Sequence, residues 1–307
     1  MEKDVVSGQG PTVWYDGGSR GRVLVADSQS YYEGRPWLDD VAVGASFAGA
    51  PIAAMPLRHG VKAWIGHEAG PGKDQAGISG LAFSDRFGVP AAAVATAEAG
   101  LSRGDTMITA RVAAVNDTAK ALGVRPGMTG GEAAKLMLDA PRGKPVGDAL
   151  DDFVDDSVHV MKETPNGTIY AVWSFTRVVG EHRDDVFTVA SHGGNVMAQY
   201  ALRVRPKGLI ANDAGRGLDD SGASGIFLVD KLFGIPAATV STDSARIGDG
   251  VSTYRDGVIS MVNGAAERLG VRVGMPAREA ADLMVAAPRP AQEATGPAGT
   301  APTGEAG

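Results

Sequence analysis

The chain repeats itself. Asp39-Asp-Val-Ala-Val-Gly-Ala-Ser46 lines up with Asp184-Asp-Val-Phe-Thr-Val-Ala-Ser191, 145 residues later. At the same offset, Ala69-Gly-Pro-Gly-Lys-Asp-Gln-Ala-Gly77 meets Ala214-Gly-Arg-Gly-Leu-Asp-Asp-Ser-Gly222. After one inserted residue Gly88-Val-Pro meets Gly234-Ile-Pro, and after one more Leu122-Gly-Val-Arg matches Leu269-Gly-Val-Arg. Glu132-Ala-Ala-Lys-Leu-Met137 and Glu279-Ala-Ala-Asp-Leu-Met284 close the two copies. A unit of about 130 residues is a domain and not a solenoid turn. The chain therefore reads as two homologous halves, an internal gene duplication packed about a pseudo-twofold axis like a fused dimer. The first half spans 1–147 and an Asp-rich joint 148–157. The second half spans 158–288, and 289–307 is an Ala/Pro/Gly-rich tail expected to be disordered.

Within the second half, β and α patterns alternate. Val186–Ala190 is a β-rich run, and Val196, Tyr200 and Val204 mark one face of a helix from Asn195 to Val204. Gly208 to Ala211 reads as a buried strand and Ser224 to Phe233 as a helix capped by Gly234. Ile235 to Val240 is a further strand. Val258–Leu269 and Ala277–Val285 are predicted as helices, and Thr168–Val179 as one or two strands. The expected class is α/β: two three-layer halves with partly parallel sheets.

Composition narrows the function classes. The 29 Lys and Arg against 36 Asp and Glu give a net charge of −7, which disfavours nucleic acid and anionic membrane as partners. There is no cysteine, so disulfides, Cys-ligated metals and thiol catalysis are excluded. No run approaches the roughly 18 apolar residues of a membrane span, and the polar start is unlike a signal peptide. The expectation is a cytoplasmic protein of small-molecule metabolism, with homo-oligomerisation left open.

Ligands of open α/β sheets bind beyond the carboxyl ends of the strands. Three strands of the second half end in polar, glycine-bearing loops: Ser191-His-Gly-Gly-Asn195, Asn212-Asp-Ala-Gly through Gly222, and Ser241 through Gly250. If parallel, they place His192, Asp213, Asp219, Asp220, Ser244, Arg246 and Asp249 at one edge. Each has a structural counter-reading as turn, cap or ion pair. The functional one makes His192 a general acid/base oriented by Asp213 or Asp219. Gly193 and Gly194 would hold developing negative charge, Arg246 would clamp a carboxylate, and Ser244 or Ser191 is a weaker candidate nucleophile. Asn212 and Asp249 complete the proposed substrate contacts.

The halves differ in these loops. Phe47 stands at the place of His192 and Ala48 at that of Gly193. His67-Glu68 replaces Asn212-Asp213, and the third loop aligns with Glu98 to Thr106 as one residue shorter. The second half is expected to carry the site. His67, Glu68, Arg103 and Asp105 are what a separate site in the first half would use. No P-loop, dinucleotide fingerprint or nucleophile elbow is present. No motif requires a cofactor, while His192 with Asp213, Asp219 and Asp249 would suit Mg²⁺ or Mn²⁺. The leading expectation is a hydrolase or lyase acting on a small carboxylate- or amide-bearing metabolite. The alternative is a non-catalytic metabolite-binding or assembly protein.

Overall fold

The computed structural model describes residues 10–147, 150 and 157–288. Each half contains one six-stranded mixed sheet. In the first, β1 (Thr12–Asp16), β2 (Arg22–Ala26), β3 (Val41–Phe47), β4 (Ala63–His67), β5 (Ala91–Val94) and β6 (Val112–Val115) lie side by side in chain order. The two outer pairings are antiparallel and the inner ones parallel. The second sheet, β7 (Val158–Thr164), β8 (Gly167–Val172), β9 (Val186–His192), β10 (Gly208–Asn212), β11 (Ala237–Val240) and β12 (Ile259–Val262), repeats that order and those directions.

Parallel strands need crossovers, and the crossovers cover the sheet faces. In the first half α1 (Ala50–Arg58) and α2 (Ser79–Asp85) pack on one face against Ala42, Trp64 and Ala93. On the other face α3 (Thr106–Thr109) and α5 (Gly130–Met137) meet Val41, Val43 and Ile65; α4 (Asp117–Ala121) follows β6. In the second half α6 (Asn195–Val204) and α7 (Ser224–Phe233) cover Phe187, Val189 and Leu209. The opposite face carries α8 (Gly250–Asp256) and α10 (Ala277–Ala286), with α9 (Gly264–Arg268) after β12. Buried strands alternate between these two cores residue by residue, so both faces are apolar.

The α6 and α7 spans agree with their sequence periodicity, and Gly234 closes α7 in the left-handed region at φ 62°. Val258–Leu269 is not one helix. Its first part is strand β12, because Ile259-Ser-Met-Val262 pairs with β11, and Asn263 starts α9. Asn263 Oδ1 accepts the Ala237 and Ala266 N–H groups, and its Nδ2 donates to Ile226 O and Ile235 O. Asn116 makes the corresponding four bonds in the first half. Thr168–Val179 contains β8 and then a 3₁₀ turn, Phe175–Arg177. The tail from Arg289 and all of the Asp-rich joint except Leu150 and Ser157 lie outside the described residues. Among the described residues, no helix is long and apolar enough to cross a membrane.

The strand-end loops of one half meet those of the other. An apolar cluster of Phe47, Ile52, Met55, Ala69, Leu101, Trp173, Ala190, Ala214 and Ile247 spans the junction. Around it, Lys73 N–H donates to Thr242 O and Leu218 N–H to Ala99 O, each at 2.9 Å. Gly70 and Gly215 touch backbone to backbone: a Cβ on Gly215 would lie 2.8 Å from the Gly70 Cα.

Candidate functional site: a cleft between the halves

The three loops of the second half do converge at one sheet edge, since β9, β10 and β11 run parallel. That edge faces the other half; two of its polar groups pair across the junction and the others bond within their own loops. Asp219 pairs with Arg103 of the first half at 2.8 Å and is mostly exposed. Arg246 pairs with Asp74 at 2.5 Å, and Asp249 accepts the Ser252 N–H as the cap of α8. Ser244 Oγ donates to Ser241 O and accepts the Val258 N–H, which fixes a turn. Asp213 accepts the Gly215 and Thr242 N–H groups at 3.0 Å, and burial pushes its carboxyl pKa up. Asn212 accepts the Ala214 N–H and donates to Ala245 O.

The first-half counterparts do the same work. His67 Nδ1 accepts the Ala69 N–H at 2.9 Å, so the ring proton is on Nε2, which donates to Ala99 O at 2.9 Å. Glu68 accepts the N–H and hydroxyl of Thr96. Asp105 sits at the start of α3 without a side-chain capping bond. The two third loops have equal length up to Gly104 and Gly250. Ser102 N–H bonds Ala45 O as Gly248 N–H bonds Ala190 O, and Thr106 Oγ1 accepts the Gly100 N–H as Ser252 Oγ accepts that of Arg246. The single-residue shift comes only afterwards, within α8. Arg103 thus sits opposite Asp249, and Arg246 opposite Gly100.

The pair Gly193-Gly194 does not form an oxyanion hole. Gly193 N–H donates to Asn212 O, and Gly194 N–H to His192 Nδ1 at 3.1 Å. Their lack of a side chain serves packing: a Cβ on Gly193 would meet Thr239 at 2.9 Å, and one on Gly194 would meet His192 and the Ser221 carbonyl at 2.8 Å. Among the described residues no three His, Asp or Glu side chains group to hold a metal ion, so His192, Asp213, Asp219 and Asp249 are not gathered as a Mg²⁺ or Mn²⁺ site would need.

Ser191 and His192 lie elsewhere. They line a narrow cleft between the halves with a volume of about 50 Å³. Its first-half wall is Phe47, Ile52 and Met55 beside Ser28, Ser30 and Ser46; its second-half wall is Trp173, Ser174, Thr176, Ser191, His192, Val196, Met197 and Tyr200. No Asp, Glu, Lys or Arg is among these residues. The first-half hydroxyls are committed to one another: Ser28 Oγ is 2.8 Å from Ser30 Oγ and 3.3 Å from Ser46 Oγ, which accepts the Gln29 N–H.

The second-half groups are not so committed. Trp173 Nε1 and Thr176 Oγ1 are buried with no hydrogen-bond partner among the described residues. His192 uses Nδ1 as an acceptor, so its proton is on Nε2, which has no partner among the described residues. Burial pushes the His192 ring down to about 4, with nearby His67 adding to the effect. His67 is also pushed down to about 4, by burial against the opposing pull of its backbone bonds. At neutral pH His192 is therefore an uncharged donor, and no carboxylate orients it. Trp173, Thr176 and the apolar first-half wall were not anticipated from the sequence. The signal was there in Ser28-x-Ser30 against Ser174-x-Thr176, a pair of hydroxyl turns at matching places.

Two measurable consequences follow from this geometry. In the unfolded chain both histidines titrate near about 6.5, above their folded values. The unfolded state then binds more protons between about pH 4 and 6.5, so stability is full above that window and falls on acidification. Going from pH 7 to 5 should cost about 2 kcal/mol per histidine, read from urea melts. Asp85, Asp220 and Asp256, all with lowered pKa values, titrate below this window and add little. Removing either imidazole should remove about half of the loss that these two cause, to which His59, also pushed down by burial, adds. Arg246→Ala, by contrast, deletes only half-exposed ion pairs with Asp74 and Asp249 and should cost under about 1 kcal/mol; a larger drop in the denaturation midpoint would give Arg246 a role that this structure does not.

No curated protein and no solved structure matches the chain. One family model, a domain of unknown function (DUF1805), matches residues 81–137. That segment runs from α2 to the end of α5 and contains none of the first-half residues that line the cleft.

Proposed function

We propose that the chain is a small-molecule-binding protein whose ligand occupies the cleft between the halves. The observation that carries this is a set of polar groups without partners among the described residues, on side chains that line the cleft together with an apolar wall. Trp173 Nε1–H, Thr176 Oγ–H, Ser191 Oγ–H and the His192 Nε2–H come from one half; Phe47, Ile52 and Met55 come from the other. A buried donor left without a partner costs about 1–3 kcal/mol, a cost that a ligand acceptor relieves. A few placed polar groups on an apolar lining is the usual make-up of small-molecule sites. The same reading accounts for the two halves: an internal duplication, in which one copy kept the donors and the other supplies the wall.

The hydrolase or lyase reading comes second. It needs a base facing the substrate, and the basic nitrogen of His192 is turned toward the Gly194 N–H.

Ligand-observed NMR with a fragment panel tests the proposal. Hits on the wild type should vanish in Ser191→Phe, which fills the cleft, and persist in Arg246→Ala and Asp219→Asn. Hits that survive Ser191→Phe would place binding elsewhere. A hit consumed at a rate that His192→Gln abolishes would restore the enzyme reading.

A further inference from the structure

We infer that the junction between the halves is an acid-operated clasp: protonation of His67 and His192 releases the turns that join the halves, and the junction opens while each half keeps its fold. Each imidazole spends its one lone pair on a turn of its own half. His67 Nδ1 accepts the Ala69 N–H at 2.9 Å, and His192 Nδ1 accepts the Gly194 N–H at 3.1 Å. An imidazolium has two donors and no acceptor, so protonation sets N–H against N–H and the turn has to move. Both turns lead into contacts across the junction. After Ala69 come Gly70, packed backbone to backbone on Gly215, and Lys73, whose N–H donates to Thr242 O at 2.9 Å. After Gly194, Val196 N–H donates to Ser102 Oγ of the first half at 3.2 Å. The other nitrogen of His67 is tied in as well: Nε2–H donates to Ala99 O, the carbonyl that also accepts Leu218 N–H from the second half. Opening need not unfold either half, because each keeps an apolar core on both faces of its own sheet and only the cluster around Phe47, Trp173 and Ile247 is shared.

Proton linkage gives the direction. In the closed form burial holds both rings down to about 4; with the halves apart they meet water and titrate near about 6.5. The open form therefore binds more protons between about pH 4 and 6.5, and opening becomes more favourable as pH falls through that window. From pH 7 to 5 the open-to-closed ratio should rise about 20-fold for each histidine and several hundred-fold for both. The charged groups on the segments around the rings do not cancel this. Glu68 accepts the Thr96 N–H and hydroxyl, and Asp213 accepts the Gly215 and Thr242 N–H groups, so each carboxylate is spent on its own loops. Asp213, with its carboxyl pushed up by burial, binds protons better in the closed form and opposes opening, as one group against two. Arg103–Asp219, Arg246–Asp74 and Lys73–Asp256 tie the rims of the halves together, but they are solvent-screened pairs and weak ties. The clasp works whether or not the cleft holds a ligand.

The chain has no cysteine, so the full chain carrying Ala82→Cys and Lys231→Cys, two exposed positions on α2 and α7, takes one spin label on each half. The label-to-label distance should be narrow at pH 7.5, shift to a second, broader population by about pH 4.5, and return on neutralisation, while the far-ultraviolet circular dichroism is retained. In His67→Asn, whose amide can make the same two bonds without titrating, the transition should fall about 0.5 pH unit lower or more, and be shallower, with about one proton taken up per opening instead of two. His192→Gln should act in the same direction and carries the test if the asparagine variant does not fold. A distance unchanged down to pH 4.5, or one that changes only together with the circular dichroism, would overturn the inference. An unchanged midpoint and steepness in either folded histidine variant would overturn it too.

Discussion

Valine at Gly215 should cost about 2–5 kcal/mol, the sum of a left-handed backbone penalty and of overpacking. Gly215 has φ 66°, and a Cβ there would press on the Gly70 backbone at 2.8–3.0 Å. Neither neighbour is a flexible side-chain end that could swing away. Relief requires the halves to separate, which opens the apolar cluster around Phe47, Trp173 and Ile247 and widens the cleft. Gly88→Ala is the matched control, with φ 65° and nothing within 4 Å of the added carbon. It carries the backbone term alone, about 1–2 kcal/mol. Thermal melts of the two proteins should differ by several degrees, at roughly 2–4 °C per kcal/mol for domains of this order of size. Equal shifts would mean that the Gly70–Gly215 approach does not hold the halves in place.

Period and punctuation made the helices legible. Asn195–Val204 and Ser224–Phe233 stand where their apolar spacing and the Gly234 cap put them. Val258–Leu269 misled because Ile259 and Val262 also satisfy helical spacing, while the competing signal is Asn263, which caps a helix that starts only there. The strand-end edge was legible too, but its purpose was not. A polar loop facing solvent and a polar loop facing another loop have the same composition. Only the pairing of Asp219 with Arg103 and of Arg246 with Asp74 shows that this edge is an interface. Likewise, nothing local distinguishes Gly193-Gly194 as an anion loop from Gly193-Gly194 as the point where α6 and Thr239 come close. His192 was singled out for being a polar residue at a strand end, and it does line the cleft. Its tautomer depends on the Gly194 N–H, which no sequence spacing reveals.

His67 offers the clearest test of whether a buried imidazole here is architecture. It is fully buried, and its two ring nitrogens bind the Ala69 N–H and the Ala99 carbonyl. His67→Ala leaves both backbone groups without partners in the interior, at about 1–3 kcal/mol each, and opens a cavity besides. The expected loss is about 3–5 kcal/mol. His67→Asn should recover most of it. At the corresponding place Asn212 accepts the Ala214 N–H at 2.8 Å and donates to the Ala245 carbonyl at 3.2 Å, the same two bonds made by a shorter side chain. Ala69 and Ala214 also share the left-handed conformation, with φ 56° and 51°, so the turn that asparagine must close already has the right shape. The asparagine protein should therefore melt within about 1–2 kcal/mol of wild type, the scale of one imperfect hydrogen bond. It should also lose a large part of the acid sensitivity between pH 7 and 5, because one of the two imidazoles held down to about 4 is gone. Binding in the cleft should persist, since His67 lines no part of it. If His67→Asn were as unstable as His67→Ala, the imidazole itself would be required, and the hydrogen-bonding equivalence of the two halves at this position would fail.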